Sequence, residues 1–118
     1  MTVYYTTATI VRARAKNIGT TPNPTDSMIE EYISEAEGLI DALMGFSLTE
    51  NFSATKPLHI LVRQVTSDIA AFYAIAHDPS GFASTSEAAL ILDIIYTNML
   101  RGLSLIKDAR IQKRIKEA

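Results

Sequence analysis

Histidine and carboxylate side chains are the residues of this 118-residue chain whose types could support catalysis or metal binding. His59 and His77 are its two histidines, and their separation corresponds to about 27 Å along a helix. They are therefore too far apart to bind one metal ion. Neither has a carboxylate at the spacing of a zinc or di-iron motif. We expect both to be exposed polar residues near the two ends of one helix.

Asp68 and Asp93 are the acidic residues with the most apolar sequence neighbours. A carboxyl group in such surroundings can serve as a general acid, but we expect a structural ion pair with Arg63, Arg12 or Arg14. The chain has no cysteine, which excludes thiolate nucleophiles, disulfides and cysteine-ligated zinc. It also lacks a GxSxG motif and a glycine-rich phosphate loop. The sequence thus predicts no catalytic residue, no metal and no cofactor, and we expect a protein that is not an enzyme.

The element that positions the others is an apolar helix predicted over residues 57–78. Pro57 suits the first position of a helix, and the pair Asp78-Pro79 is typical of a helix end. Between them, apolar residues recur at helical spacing around most of the circumference. A helix of this kind is normally surrounded by other helices. The fold class predicted is therefore all-α, a small bundle of about four helices around this core helix.

Two helices are predicted before the core helix. Thr6 or Thr7 can cap the first, which should extend to about Asn17 and end at Gly19. The second begins near Ser27, whose spacing from a following glutamate is that of a capping box, with Asp26 as an alternative cap. Its buried stripe consists of Ile29, Tyr32, Ile33, Ala36, Ile40, Leu43 and Met44, and Gly45 should end it.

The remaining segments are a loop, a fourth helix and a tail. The loop at 46–56 contains two phenylalanines and is either a docking loop or, as we expect, a lid packed on its own core. The fourth helix is predicted over 86–101, with Gly102 breaking it. Residues 1–104 then form one helical domain, and 105–118 form a basic tail with a thin apolar line. Such a helix is marginal alone and becomes ordered by docking on its own domain, a neighbour or another protein.

Charge is segregated along the chain although the net charge is only −2. Basic residues dominate both ends, and the acids are concentrated in residues 26–50. The N-terminal residues do not resemble a secretory signal, and the apolar run at 88–96 contains Asp93, so we expect no membrane span. A soluble, intracellular chain whose charges pair within it or between copies is the expectation.

The order of helix-packing landmarks resembles the head–tail connector (adaptor, head-completion) proteins of tailed phages, especially the Mu-like branch. The landmarks in chain order are Asp26, Ile29, Tyr32-Ile33, Glu35-Ala36-Glu37, Ile40-Asp41, Pro57-Leu58, Asp68-Ile69-Ala70, Phe72-Tyr73, Tyr96, Met99-Leu100 and Gly102-Leu103. The resemblance covers roughly residues 4 to 105, and the basic tail departs from the family.

The resemblance implies a structural virion protein with no cofactor and no membrane contact. About twelve copies would form a ring under the portal protein, extend the DNA exit channel and contact a tail-completion or stopper protein. DNA would pass through the ring without sequence-specific binding. The protein would lie at the head–tail junction of the virion, and in the host cytoplasm before assembly.

Site residues follow from this reading. A ring contact joins two different faces, and the acids Glu30, Glu31, Glu35, Glu37 and Asp41 would meet Arg12 and Arg14 or the tail bases of the next subunit. By position, the tail would dock on the portal, and the residues concerned are Ile106, Arg110, Ile111, Lys113, Arg114 and Ile115. The alternative function is a stand-alone helical interaction or regulatory module of the antitoxin type.

Overall fold

A computed structural model of the chain describes residues 3–15, 25–77 and 85–117. These residues form helices and no β-strand, which confirms the all-α prediction. The helices are α1 (Ala8–Arg14), α2 (Asp26–Met44), α3 (Pro57–His77), α4 (Thr85–Ile106) and α5 (Ala109–Glu117). The first four correspond to the predicted bundle, and α5 is the tail.

α3 is the central helix, because each of the other four helices packs against it. Val62, Ile69 and Ile75 are almost completely buried along its length. Burial of each such side chain stabilises the fold by about 1.5–3 kcal/mol, so the apolar girth of α3 accounts for its position. The prediction of a core helix over 57–78 is confirmed, although Asp78 itself lies outside the described residues.

The predicted C-terminal end of α1 needs correction. α1 begins as expected, because Thr7 Oγ1 accepts a hydrogen bond from the Ile10 N–H at 3.3 Å. The helix then ends at Arg14 with Ala15 as its C-cap, earlier than the predicted Asn17. Gly19, the predicted terminator, lies outside the described residues.

The N-cap of α2 is Thr25, one residue before the nearer of the two predicted caps. Thr25 Oγ1 accepts from the Met28 N–H at 3.3 Å, and Asp26 is already helical, so the choice of Ser27 or Asp26 was wrong. Thr, Asp and Ser follow one another here and all are good N-caps, so residue type alone does not select one. Gly45 ends the helix as predicted, with φ at 80°, a left-handed conformation that glycine adopts without strain.

α4 is longer than predicted because Gly102 does not break it. The helix extends to Ile106, and Gly102 lies buried within it against Val65 of α3. A Cβ at position 102 would overlap Cγ2 of Val65. The glycine therefore permits close approach of α3 and α4. The sequence did not indicate this role, because Gly102 lies near the predicted end of the helix.

The tail docks on its own domain, which is one of the three possibilities left open above. Ile106 and Ile115 are fully buried. Gln112 Nε2 donates hydrogen bonds to the carbonyl oxygens of Leu43, at 3.1 Å, and Ile106, at 2.8 Å. The domain boundary predicted after residue 104 falls inside α4.

Candidate interaction surfaces

His59 is fully buried, so the prediction of an exposed histidine was wrong. The Ser53 N–H donates to its Nδ1 at 3.0 Å, which places the ring proton on Nε2, and Nε2 donates to the carbonyl oxygen of Ile115 at 3.2 Å. The histidine thus joins the 46–56 loop to α5. The sequence could not show this, because one of its two partners is 56 residues away.

The 46–56 loop is a lid packed on the core, as we expected. The Phe52 ring lies between Tyr5 and His59, at centroid distances of 5.4 and 5.7 Å. The guanidinium of Arg63 lies 5.3 Å from the same ring, at a distance typical of a cation–π contact. The aromatic residues of this loop are therefore used inside the domain.

Glu37 fixes the N-terminal segment to α2. Its Oε2 accepts hydrogen bonds from the backbone N–H groups of Tyr4 and Tyr5, both at 2.7 Å. Burial raises the pKa of Glu37, and the two N–H donors oppose that rise by favouring the carboxylate. The sequence contained a signal for this role, since Glu37 follows Ile33 by four residues and so lies within the buried stripe of the helix.

Asp41 has a comparable role one turn later. The Tyr5 hydroxyl donates to Asp41 Oδ1 at 2.5 Å and accepts from the Leu48 N–H at 2.8 Å. Burial, together with the hydrogen bond to Asp41, raises the pKa of Tyr5 to about 12. Glu37 and Asp41 were predicted at an inter-subunit contact, and the structure places both in contact with Tyr5 of their own chain.

The two arginines assigned to the same contact also form ion pairs within the chain. Arg12 Nη2 lies 2.8 Å from Asp26 Oδ1, and Arg14 Nη1 lies 2.8 Å from Asp68 Oδ1. The Asp68 side chain is only 6% exposed; burial raises its pKa, and Arg14 opposes the rise. The expectation of a structural partner for Asp68 is confirmed, with Arg14 as that partner.

Three of the predicted acids remain available to a partner. Glu31 and Glu35 are exposed and Glu30 is half-buried, and none of the three pairs with another described residue. All lie in the N-terminal half of α2. We call Glu30, Glu31 and Glu35 the acidic face.

The tail has exposed basic residues near the C-terminal end of α2, whereas the acidic face lies in the N-terminal half of that helix. Arg110, Lys113 and Arg114 are exposed on one side of α5, whereas Ile111 and Ile115 pack on the core side. We call those three bases the basic tail face. The hydrogen bond from Gln112 to Leu43 ties α5 to the C-terminal end of α2, about 18 Å along the helix from Glu31. The two charged faces are therefore separate surfaces.

The other acid considered for chemistry, Asp93, gains no catalytic setting. Asp93 is exposed and forms no ion pair with another residue in the described ranges, so its expected partner is not found there. The side chain of His77 lies outside what the structure describes. Across residues 3–15, 25–77 and 85–117, no three His, Asp or Glu side chains are grouped to hold a metal ion.

Open grooves lie beside α3. One of about 270 Å³ is lined on one side by Arg14 and Asp68 and on the other by Asn98, Arg101 and Leu105. Its buried carboxylate is already paired with Arg14. In the part of the chain that the structure describes, every buried side-chain nitrogen or oxygen has a hydrogen-bond partner. The groove therefore contains no buried polar side-chain atom that lacks a hydrogen-bond partner.

α4 is the most apolar exposed element. Its stretch Ala89–Ile106 is long and apolar enough to cross a membrane by length and composition, with a mean hydropathy of 1.4, and only 17% of it is buried. This stretch is longer than the apolar run identified at 88–96 in the sequence. Contiguous exposed apolar surface of this kind is typical of an interaction site.

Comparisons of the chain with models of known protein families, with curated proteins and with solved structures find no match.

Proposed function

We propose that the chain is a structural subunit of a head–tail connector in a tailed virus, with no catalytic activity and no cofactor. The resemblance of its helix-packing landmarks supports this function. The observation that carries it is the separation of the acidic face from the basic tail face, because a head-to-tail contact needs two different complementary surfaces on each copy. Each subunit would present Glu30, Glu31 and Glu35 to the bases of the next.

The contacts within the chain refine the predicted ring interface. Arg12, Arg14, Glu37 and Asp41 stabilise the subunit itself, so we now assign the inter-subunit contact to the acidic face and the tail. The ring of about twelve copies would lie between the portal protein and a tail-completion or stopper protein, in the virion at the head–tail junction. A ring of subunits with a net negative charge would let DNA pass without tight phosphate binding.

Because the basic residues of the tail are exposed, docking of the tail on the portal protein remains a further proposal. Arg110, Lys113 and Arg114 are accessible on the docked tail. Ile106 and Ile115 are buried, so they would reach the portal only if the tail left its own domain.

The proposed contact can be tested by charge reversal in cells that encode the chain and assemble particles. Glu31→Lys with Glu35→Lys should reduce incorporation of the protein into particles at least about tenfold, because like charges would then face each other. Adding Lys113→Glu with Arg114→Glu to the same chain should restore it. Glu50→Lys adds positive charge at an exposed position outside both faces and should have little effect. Normal incorporation of the first variant would contradict the charge-pairing interface.

The alternative is a stand-alone interaction or regulatory module, for which the exposed side of α4 would serve equally well. The two functions differ in their partners: a connector is recovered with portal and tail proteins, and a regulatory module with one regulator or toxin.

A further inference from the structure

One side of α4 has apolar residues that the rest of the described chain leaves largely exposed, and its C-terminal part borders the groove that Arg101 and Leu105 line. Leu90, Ile94 and Leu105 are 60%, 50% and 46% exposed. At 100° per residue they fall within an arc of about 60°, with Arg101 between them. We call Leu90, Ile94, Arg101 and Leu105 the outer face of α4.

The spacing of the outer face is self-complementary. Leu90 and Leu105 are equidistant from the point between Thr97 and Asn98, and so are Ile94 and Arg101. If two α4 helices packed antiparallel about that point, each Leu90 would meet Leu105 of the other copy. The aliphatic stem of Arg101 would cover Ile94, a common way for arginine to bury apolar surface.

Charge supports the same arrangement. Asp93 lies beside Ile94 and Arg101 lies two turns later, and both are exposed. Neither forms an ion pair with another residue in the described ranges. An antiparallel pair would bring Asp93 of each copy near Arg101 of the other, so the dimer would contain two such charge pairs. A parallel pair would instead align like charges with like.

We infer that α4 of one chain packs antiparallel on α4 of a second copy, forming a two-fold symmetric dimer. Such a contact is isologous, with the same patch used on both subunits. It uses none of the residues of the acidic face or the basic tail face. The inference therefore does not depend on the proposed function.

The absence of cysteine allows a direct geometric test. In the full chain, Thr97→Cys should form a disulfide between copies under mild oxidation, because the two substituted positions would lie near the symmetry axis. Leu90→Cys alone should not, since its two copies would be about 22 Å apart, far beyond the reach of a disulfide. A mixture of Leu90→Cys and Leu105→Cys chains should crosslink.

Sedimentation of the full chain tests the strength and the cause of the contact. We expect a reversible dimer of the 13.0 kDa chain. Ile94→Lys should weaken it at least about tenfold. Leu39→Lys, at an exposed leucine of α2, should leave it unchanged. Asp93→Arg and Arg101→Asp should each weaken the dimer, and the two changes together should restore it. Circular dichroism of each variant should match that of the wild type, which checks that the variant is folded.

Three results would overturn the inference. The first is a chain that stays monomeric at hundreds of micromolar. The second is self-crosslinking of Leu90→Cys, which indicates a parallel pair. The third is tight binding of the monomer to neutral phosphatidylcholine vesicles that Ile94→Lys abolishes, which would assign the outer face to a lipid surface.

Discussion

At the scale of single residues, buried polar groups hold together segments that are distant in sequence. Glu37 accepts two backbone N–H groups of the N-terminal segment, and His59 joins the 46–56 loop to α5. Both side chains form hydrogen bonds to distant segments of their own chain. These buried polar groups therefore have structural roles.

Glu37→Ala should lower the free energy of unfolding by about 2–3 kcal/mol, because two backbone donors would lose a charged acceptor. Glu37→Gln retains an acceptor oxygen and should cost less than about 1 kcal/mol. Urea unfolding of both variants measures the difference. Equal losses for Ala and Gln would show that the two hydrogen bonds are not the cause.

The raised pKa of Glu37 predicts a pH dependence of defined sign. Above its ordinary value of 4.5 and up to the raised native value, the folded chain binds more protons at Glu37 than the unfolded chain does. The contribution of Glu37 to the free energy of unfolding is therefore fully present below pH 4.5. It is lost as the pH rises through the native pKa. The stability of the wild type relative to Glu37→Gln should fall over that window and then level off. A relative stability that increases with pH would contradict the predicted shift.

At the scale of helices, close packing and tail docking are the features to test. Gly102→Ala should destabilise the protein by about 1–3 kcal/mol, because the new methyl group overlaps Val65 and overpacking outweighs the gain in helix propensity. Gly38→Ala is the matched control, since nothing lies within 4 Å of its Cβ position. It should stabilise α2 by up to about 1 kcal/mol. Thermal unfolding measures both variants. Adding Val65→Ala to Gly102→Ala should recover part of the lost stability.

Tail docking depends on the fully buried Ile115. Ile115→Ala should remove about 2–4 kcal/mol of packing free energy, and α5 should then open locally more often. Hydrogen exchange at the amides of α5 should accelerate at least about tenfold, while α3 stays protected. Lys113→Ala, at an exposed position of the same helix, should change neither. Unchanged exchange in Ile115→Ala would mean that other contacts hold the tail.

Helix existence was predictable because it depends on local periodicity. The apolar pattern around Ile69 identified the core helix, and Gly45 marked the end of α2 by its conformational freedom. Two of the misses share one cause, which is that the deciding partner is distant in sequence. His59 is buried because Ile115 supplies its acceptor, and Gly102 lies inside α4 because Val65 packs too close for a residue with a side chain.

The interaction surfaces were predictable only in part, for the same reason. The sequence identified an acidic α2, and Glu31 and Glu35 are indeed exposed. It could not show that Glu37 and Asp41 are occupied by Tyr5, or that Arg12 and Arg14 pair within the chain. Distinguishing available charges from those already paired required the tertiary contacts.

At the scale of the whole molecule, three surfaces face outward with different chemistry: the acidic face, the basic tail face and the outer face of α4. The acidic face and the basic tail face suit a subunit that contacts two neighbours at once, as the proposed connector does. The identity of those neighbours is the central claim.

The most direct test is recovery of a tagged, otherwise unmodified chain from cells that encode it and are producing particles, followed by mass spectrometry of the proteins bound to it. The proposed function predicts that portal and tail-completion proteins are recovered together with the chain. Recovery of a single regulator or enzyme, without capsid proteins despite abundant particles, would contradict it.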